Sequence, residues 1–351
     1  MSNFSNESTK IYFDQKLLYE RIGSTWLVDS VYALVISPLG MVGFLLNLIS
    51  CYVSHQIQIK QTKLYEYLTF YSLNSSILSI ITGFAFIPFA PRYYPNYLSY
   101  TSRIFRSIIP TYVVSSHYFI ANIFDILIAL NRLSIFIKRF NFINKISTVK
   151  ITISIFLFVY IINLPSLLSY YVKSDEEIQF ELKYNLSKFN FSGRTKFFHS
   201  QIGLITTIAL ILIRDVTTLI IEIIAGCFCV YFYKKFESNQ INLSSNKIKK
   251  RDDSLKTIKT NNISNNSNVK TNNAGKQLML MIIILNIISI ISHLTTLSTF
   301  LLGTDNGSSI FHQILCLNTF FLSLKQFLNF FIFYFFNINF KNKFKLMFSF
   351  E

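Results

Sequence analysis

Apolar residues in this chain come in blocks rather than at amphipathic spacing. Seven stretches, near residues 26–53, 65–89, 104–130, 148–172, 201–233, 277–303 and 311–337, are predominantly apolar. Each is at least roughly the 18 residues that a helix needs to cross about 30 Å of hydrocarbon. The pattern predicts an all-α polytopic membrane protein. A polar tail (1–25) precedes a seven-helix transmembrane domain (26–337), and a second tail (338–351) follows it. No positively charged start with a short apolar core precedes the first block, so the first span is expected to serve as its own uncleaved signal. Pro38, Pro110 and Pro165 fall inside spans, where membrane helices tolerate them. The stretch 236–275 is polar, basic and of low complexity, and reads as a disordered loop.

Composition agrees with the blocks. The 351 residues are 51% hydrophobic and only 14% charged, with a mean hydropathy of +0.41; soluble domains carry about 25% charged residues. The net charge of +16 lies almost wholly in the connecting segments. It therefore suits orientation and contact with anionic membrane lipids, and no nucleic-acid partner is implied. If the N-terminus is outside, the inside segments hold twenty Lys and Arg and the outside segments eleven. That bias predicts an N-out, C-in topology. The sequons at Asn3, Asn6, Asn185, Asn190 and Asn306 then fall outside, where glycosylation is possible. The four cysteines all lie in or beside apolar runs, so no disulfide framework or metal site is readable.

Chemistry concentrates at charges placed where charge is costly. Asp125, Arg214, Asp215, Glu222 and Lys325 lie inside spans and are expected to face the bundle and pair with one another. Asp125 is seven residues before Arg132, on one helical face. By the same spacing Asp215 and Glu222 share a face while Arg214 points elsewhere. Arg132 itself stands where "ALNRLSIFIKRF" (129–140) turns from apolar to basic. It is either a membrane-surface anchor or a switch at the inner end of the third span.

Seven spans with this motif resemble the receptors that couple to G proteins, in which an Arg at the inner end of the third helix holds the resting state and engages the partner. The likeness is greater to nematode chemosensory receptors, most of all the serpentine receptor class gamma family. It rests on "VYALVISP", with Tyr32 and Pro38, and on "LNR" followed by a Ser and apolar residues. The resemblance implies a small-molecule or peptide ligand, a heterotrimeric G protein as partner, and a multi-pass protein of the plasma membrane, such as that of a sensory-neuron cilium. It implies Asn131 and Arg132 as the coupling switch, no cofactor, no metal and no catalytic step.

The chain departs from the rhodopsin-like pattern in four places. Asn131 stands where an acidic residue normally precedes the Arg, leaving Asp125 or another helix as the brake. Asn329 is followed by Phe330 rather than proline, the sixth span lacks proline, and the cysteine pair joining the third span to the outer loop is absent. Opsins attach retinal through a lysine six residues before that Asn; Lys325 lies four before it. A packed salt bridge to Asp125 or Glu222 is expected there instead. A ligand pocket is expected among Tyr112, Ser116, His117, Ile205, His293, Thr296 and His312. The alternative reading is a multi-span transporter or ligand-gated channel using Asp125, Glu222 and Lys325 as an ion relay. No phosphate-cradling glycine loop, nucleophile motif or metal spacing points to an enzyme.

Overall fold

The computed structural model describes residues 25–58, 63–94, 99–137, 145–183, 192–252, 280–281, 283–299 and 309–348. Among the described residues, seven helices form the bundle, and five are long and apolar enough to cross a membrane: Trp26–Ile57, Lys63–Phe89, Tyr100–Ser134, Thr148–Leu168 and His312–Phe336. These are the first, second, third, fourth and seventh spans. The fifth runs from Gln201 through Asp252, and its apolar sequence is interrupted by Arg214, Asp215 and Glu222. The sixth is apolar over Ile283–Thr299. An eleven-residue terminal helix, Ile338–Phe348, follows the seventh span. Asn337 starts it by accepting the Phe340 N–H at 3.1 Å and binds the second helix by accepting the Tyr65 hydroxyl at 3.1 Å.

The fifth helix changes one expectation. It stays helical to Asp252, so residues 236–252 of the expected loop are helix. The stretch after Gly226 contains no glycine or proline to stop it. Residues 253–275 lie outside the described residues, as do Asn3, Asn6, Asn185, Asn190 and Asn306.

Between the fourth and fifth helices the chain makes a small antiparallel hairpin, so the fold is not helix alone. Strands β1 (Tyr170–Val172) and β2 (Ser192–Arg194) pair with Tyr170 opposite Arg194. A helix over Asp175–Lys183 lies between them. Its start is a reciprocal capping box: Ser174 accepts the Glu177 N–H at 3.2 Å and Glu177 accepts the Ser174 N–H at 2.7 Å. That backbone N–H holds the Glu177 carboxyl below its usual range. Arg103, fully buried in the third helix, fastens the hairpin to the bundle. Its guanidinium donates to the Lys173 carbonyl at 2.6 Å and to the Asp175 carboxylate. Asp29 is likewise buried and pairs with Arg92 at 3.2 Å.

The first two helices make the tightest contact. Ser37 donates to the Gly83 carbonyl at 2.7 Å, and Ser76 to that of Phe44 at 3.3 Å. Small residues on both helices let the backbones approach this closely. A Cβ on Gly40 would lie 2.6 Å from the Gly83 Cα and 2.8 Å from the Ser79 carbonyl oxygen. Around this pair, leucines and isoleucines such as Leu34, Leu157, Ile161 and Ile205 point away from the bundle, as lipid-facing positions do. The aromatic core lies near the terminal helix, where Tyr67, Tyr71, Phe124, Phe333 and Phe340 are fully buried.

Gly40→Leu is expected to destabilise the bundle by about 1–3 kcal/mol through overpacking, read as a loss of epitope-tagged receptor at the cell surface. At Gly43 the tightest approach of an added Cβ is 3.2 Å to the Ser79 hydroxyl, with the Ser79 Cβ at 3.5 Å and the Phe327 Cα at 3.8 Å in ordinary contact. Gly43→Ala is therefore expected to keep surface levels near those of the parent.

Candidate functional site

The five charges singled out in the sequence meet in the middle of the bundle. The Lys325 ammonium, 1% exposed, donates to the Asp125 carboxylate at 2.8 Å. It also lies 3.2 Å from the Ser289 hydroxyl and 3.4 Å from the Asn122 carbonyl oxygen. Ser289 donates to Glu222 at 2.5 Å, carrying the network from the seventh helix through the sixth to the fifth. One side of the Lys325 ammonium faces the Tyr118 ring, 5.9 Å from its centre. Nearby, Tyr71 donates to Asn329 at 3.3 Å.

Arg214 and Asp215 make a second pair in the same layer. The guanidinium donates to Asp215 Oδ2 at 2.7 Å and 3.0 Å and to Oδ1 at 3.2 Å, and also donates to Ser115 on the third helix. The sequence spacing sent Arg214 to a different face; the helix brings it back. Residues Leu212–Thr217 form a π-helical turn, and the extra residue in such a wide turn shifts the register. Two consecutive side chains thereby face the bundle. The hydroxyl of Thr217 takes up the Leu212 carbonyl five residues back, at 2.8 Å. A similar turn at Ile109–Val114 contains Pro110, which cannot donate to the helix ladder.

Beside this charged layer, toward the hairpin, lies a cavity of about 440 Å³ between the third, fifth, sixth and seventh helices. The third helix lines it with Ser107, Pro110, Thr111, Val114, Ser115 and Tyr118, a helical face repeating every three to four residues. Phe86 and Phe89 close one side, and Tyr170 and Phe198 of the hairpin region reach over it. Polar groups enter from Arg106, Arg214, Ser292, Thr296, His312 and Asn318. An apolar wall with a few convergent polar groups suits a small organic ligand.

The predicted pocket residues divide accordingly. Thr296 and His312 line the cavity; Tyr112, Ser116, His117 and His293 do not. Tyr112 and Ser116 occupy the adjacent face of the third helix. His117 is consumed in packing, its ring nitrogens 2.7 Å from the Asn74 side-chain oxygen and 2.9 Å from the Tyr160 hydroxyl. His293 lies in the charged layer, and Ile205 is 66% exposed on the lipid side. The periodicity 107, 110/111, 114/115, 118 was the signal in the sequence that marks the correct face. Arg103 carries no such signal in the sequence, yet it is a buried fastener.

Arg132 sits at the opposite end of the third helix from the hairpin. Its Nε is buried without a hydrogen bond, and its electrostatic neighbours are Tyr65 and Cys229 rather than a carboxylate. The expected brake at Asp125 is absent because Asp125 is already held by Lys325. Asn131 is buried beside it.

Lys325→Met alone leaves Asp125 buried without its cation and is expected to cost about 3–5 kcal/mol. Adding Asp125→Leu is expected to recover most of that loss, since an apolar pair of similar volume is often neutral. Thermal unfolding of the detergent-solubilised single and double variants measures both.

A family model described as "Serpentine type 7TM GPCR chemoreceptor Srx" matches residues 38–264, well over half of the chain. The gamma class, suggested by the first-span motif, is not the class matched. Squid rhodopsin has a similar fold, with a TM-score of 0.61 and 12% identity over 91% of this chain and 86% of that one. Among curated proteins no sequence match was found. A transporter or channel is not favoured by these likenesses. The chain belongs to the serpentine Srx family of seven-transmembrane chemoreceptors and is a multi-pass G-protein-coupled receptor.

Proposed function

We propose that the 440 Å³ cavity is the ligand site and that the Arg132 end of the bundle engages a heterotrimeric G protein. The observation that carries this reading is how the two sites are linked. Tyr118, Arg214 and Ser292 line the cavity and also touch the charged layer: Arg214 pairs with Asp215, Tyr118 faces Lys325, and Ser292 precedes His293. A ligand resting on them changes the surroundings of charges that join four helices. A ligand that prefers one arrangement of those helices then shifts the receptor's population towards it.

The excess of Lys and Arg on one set of loops supports an N-terminus outside and a C-terminus on the cytoplasmic side, and a receptor for an external ligand belongs in the plasma membrane. On that orientation the cavity opens outward under the hairpin, and Arg132 lies on the cytoplasmic side with Asn131. The sequons at Asn3, Asn6, Asn185, Asn190 and Asn306 fall on the glycosylated side. The ligand is a small, moderately apolar molecule, sized to the cavity and met by aromatic, hydroxyl and amide groups. Arg132 lacks an acidic partner among the described residues, so its restraint does not come from an ion pair there.

In heterologous cells with a promiscuous G-protein readout, a ligand screen is expected to yield agonists. Thr111→Trp, which fills the cavity, is expected to weaken their potency by about tenfold or more, equivalent to about 1.4 kcal/mol. Arg132→Ala is expected to abolish the response at unchanged surface expression; a preserved response leaves Arg132 only as an anchor. A tag after Met1 is expected to be accessible on intact cells, and one within 240–270 is not.

A further inference from the structure

The charged layer does not balance. Asp125, Asp215 and Glu222 supply three negative charges, and Arg214 and Lys325 supply two positive ones. One uncompensated charge in a low-dielectric interior is strongly unfavourable. The residue positioned to supply the missing positive charge is His293, 0% exposed on the sixth helix. Its Nδ1 faces Asp215 at 4.0 Å and its Nε2 faces Glu222 at 3.8 Å. Neither nitrogen makes a hydrogen bond, and Glu222 Oε1 is also without one. Tyr118 packs against the ring from the third helix at 5.5 Å between centres. The other charged groups facing this layer are Arg214 on the fifth helix, Asp125 on the third and Lys325 on the seventh.

A neutral imidazole carries one N–H and satisfies at most one of the two carboxylates; an imidazolium donates to both. We propose that His293 is a proton-binding site: one proton taken from water reaches the imidazole, which then bridges Asp215 and Glu222 and ties the sixth helix to the fifth. The layer becomes neutral when that proton is bound. The cavity supplies the route, because Ser292, the neighbour of His293, and Arg214, the partner of Asp215, both line it. The site makes the contact between these two helices depend on a bound proton.

Thermal unfolding of the purified full-length receptor in lipid nanodiscs, without ligand, tests this separately from any receptor assay. The bridge exists only with the proton bound, so the wild type is expected to melt a few degrees higher at about pH 5.5 than at about pH 8. His293→Gln is expected to lose that difference and melt low at both. His293→Lys, with a fixed cation, is expected to lose it while remaining stable at alkaline pH. Glu222→Gln, which neutralises the layer without a proton, is expected to flatten the dependence as well. A wild type insensitive to pH overturns the proposal. So does a dependence that survives in His293→Gln, which assigns the proton to another group. If neither His293 variant folds, a dependence retained by Glu222→Gln overturns it equally.

Discussion

The interaction on which the rest of this bundle depends is the ion pair between Lys325 and Asp125, 2.8 Å apart and almost completely buried. Neither charge is tolerable alone at that depth, so the third and seventh helices are obliged to present these residues to each other. Ser289 and Glu222 extend the obligation to the sixth and fifth helices. Arg214, paired with Asp215 and bonded to Ser115, closes the circuit back to the third helix. Apolar packing is poorly directional in lipid, where side chains lose little by facing tails instead of one another. The buried charges supply the register that apolar packing leaves open.

The remaining helices are positioned by different physics. The first and second meet through Gly40, Gly83 and a row of serines, a contact of backbone against backbone. The hairpin is held by Arg103, whose bonds to Lys173 and Asp175 join the third helix to the segment between the fourth and fifth helices. The same charged layer borders the cavity on one side, so the groups that determine helix placement are also those nearest a ligand. The Arg132 end is packed with aromatic residues and carries the terminal helix, capped by Asn337.

Much of this was legible in the sequence, and the failures have identifiable causes. Block length revealed the spans because the bilayer imposes a length on any helix that crosses it. The five intramembrane charges announced themselves because charge there is too costly to be incidental. Pocket residues were harder to read. Tyr112, Ser116 and His117 looked suitable by residue type, yet a helix shows only one face to a cavity, and theirs is the neighbouring face. His117 was further hidden by partners on the second and fourth helices. Arg214 was misdirected by assuming a regular helix where a π turn shifts the register.

The sequence by itself determined that this is a seven-helix membrane protein, which residues lie at membrane depth, and that their charges require partners. Hydrophobic length and the cost of buried charge are local or compositional properties, so they can be read without knowing neighbours. Only the tertiary structure decided which charge meets which, that Asp125 serves Lys325 and not Arg132, and that His293 stands between two carboxylates. Those outcomes depend on helix rotation and on contacts between residues as much as 200 positions apart. Side chains from separate helices converge only once the whole bundle has packed.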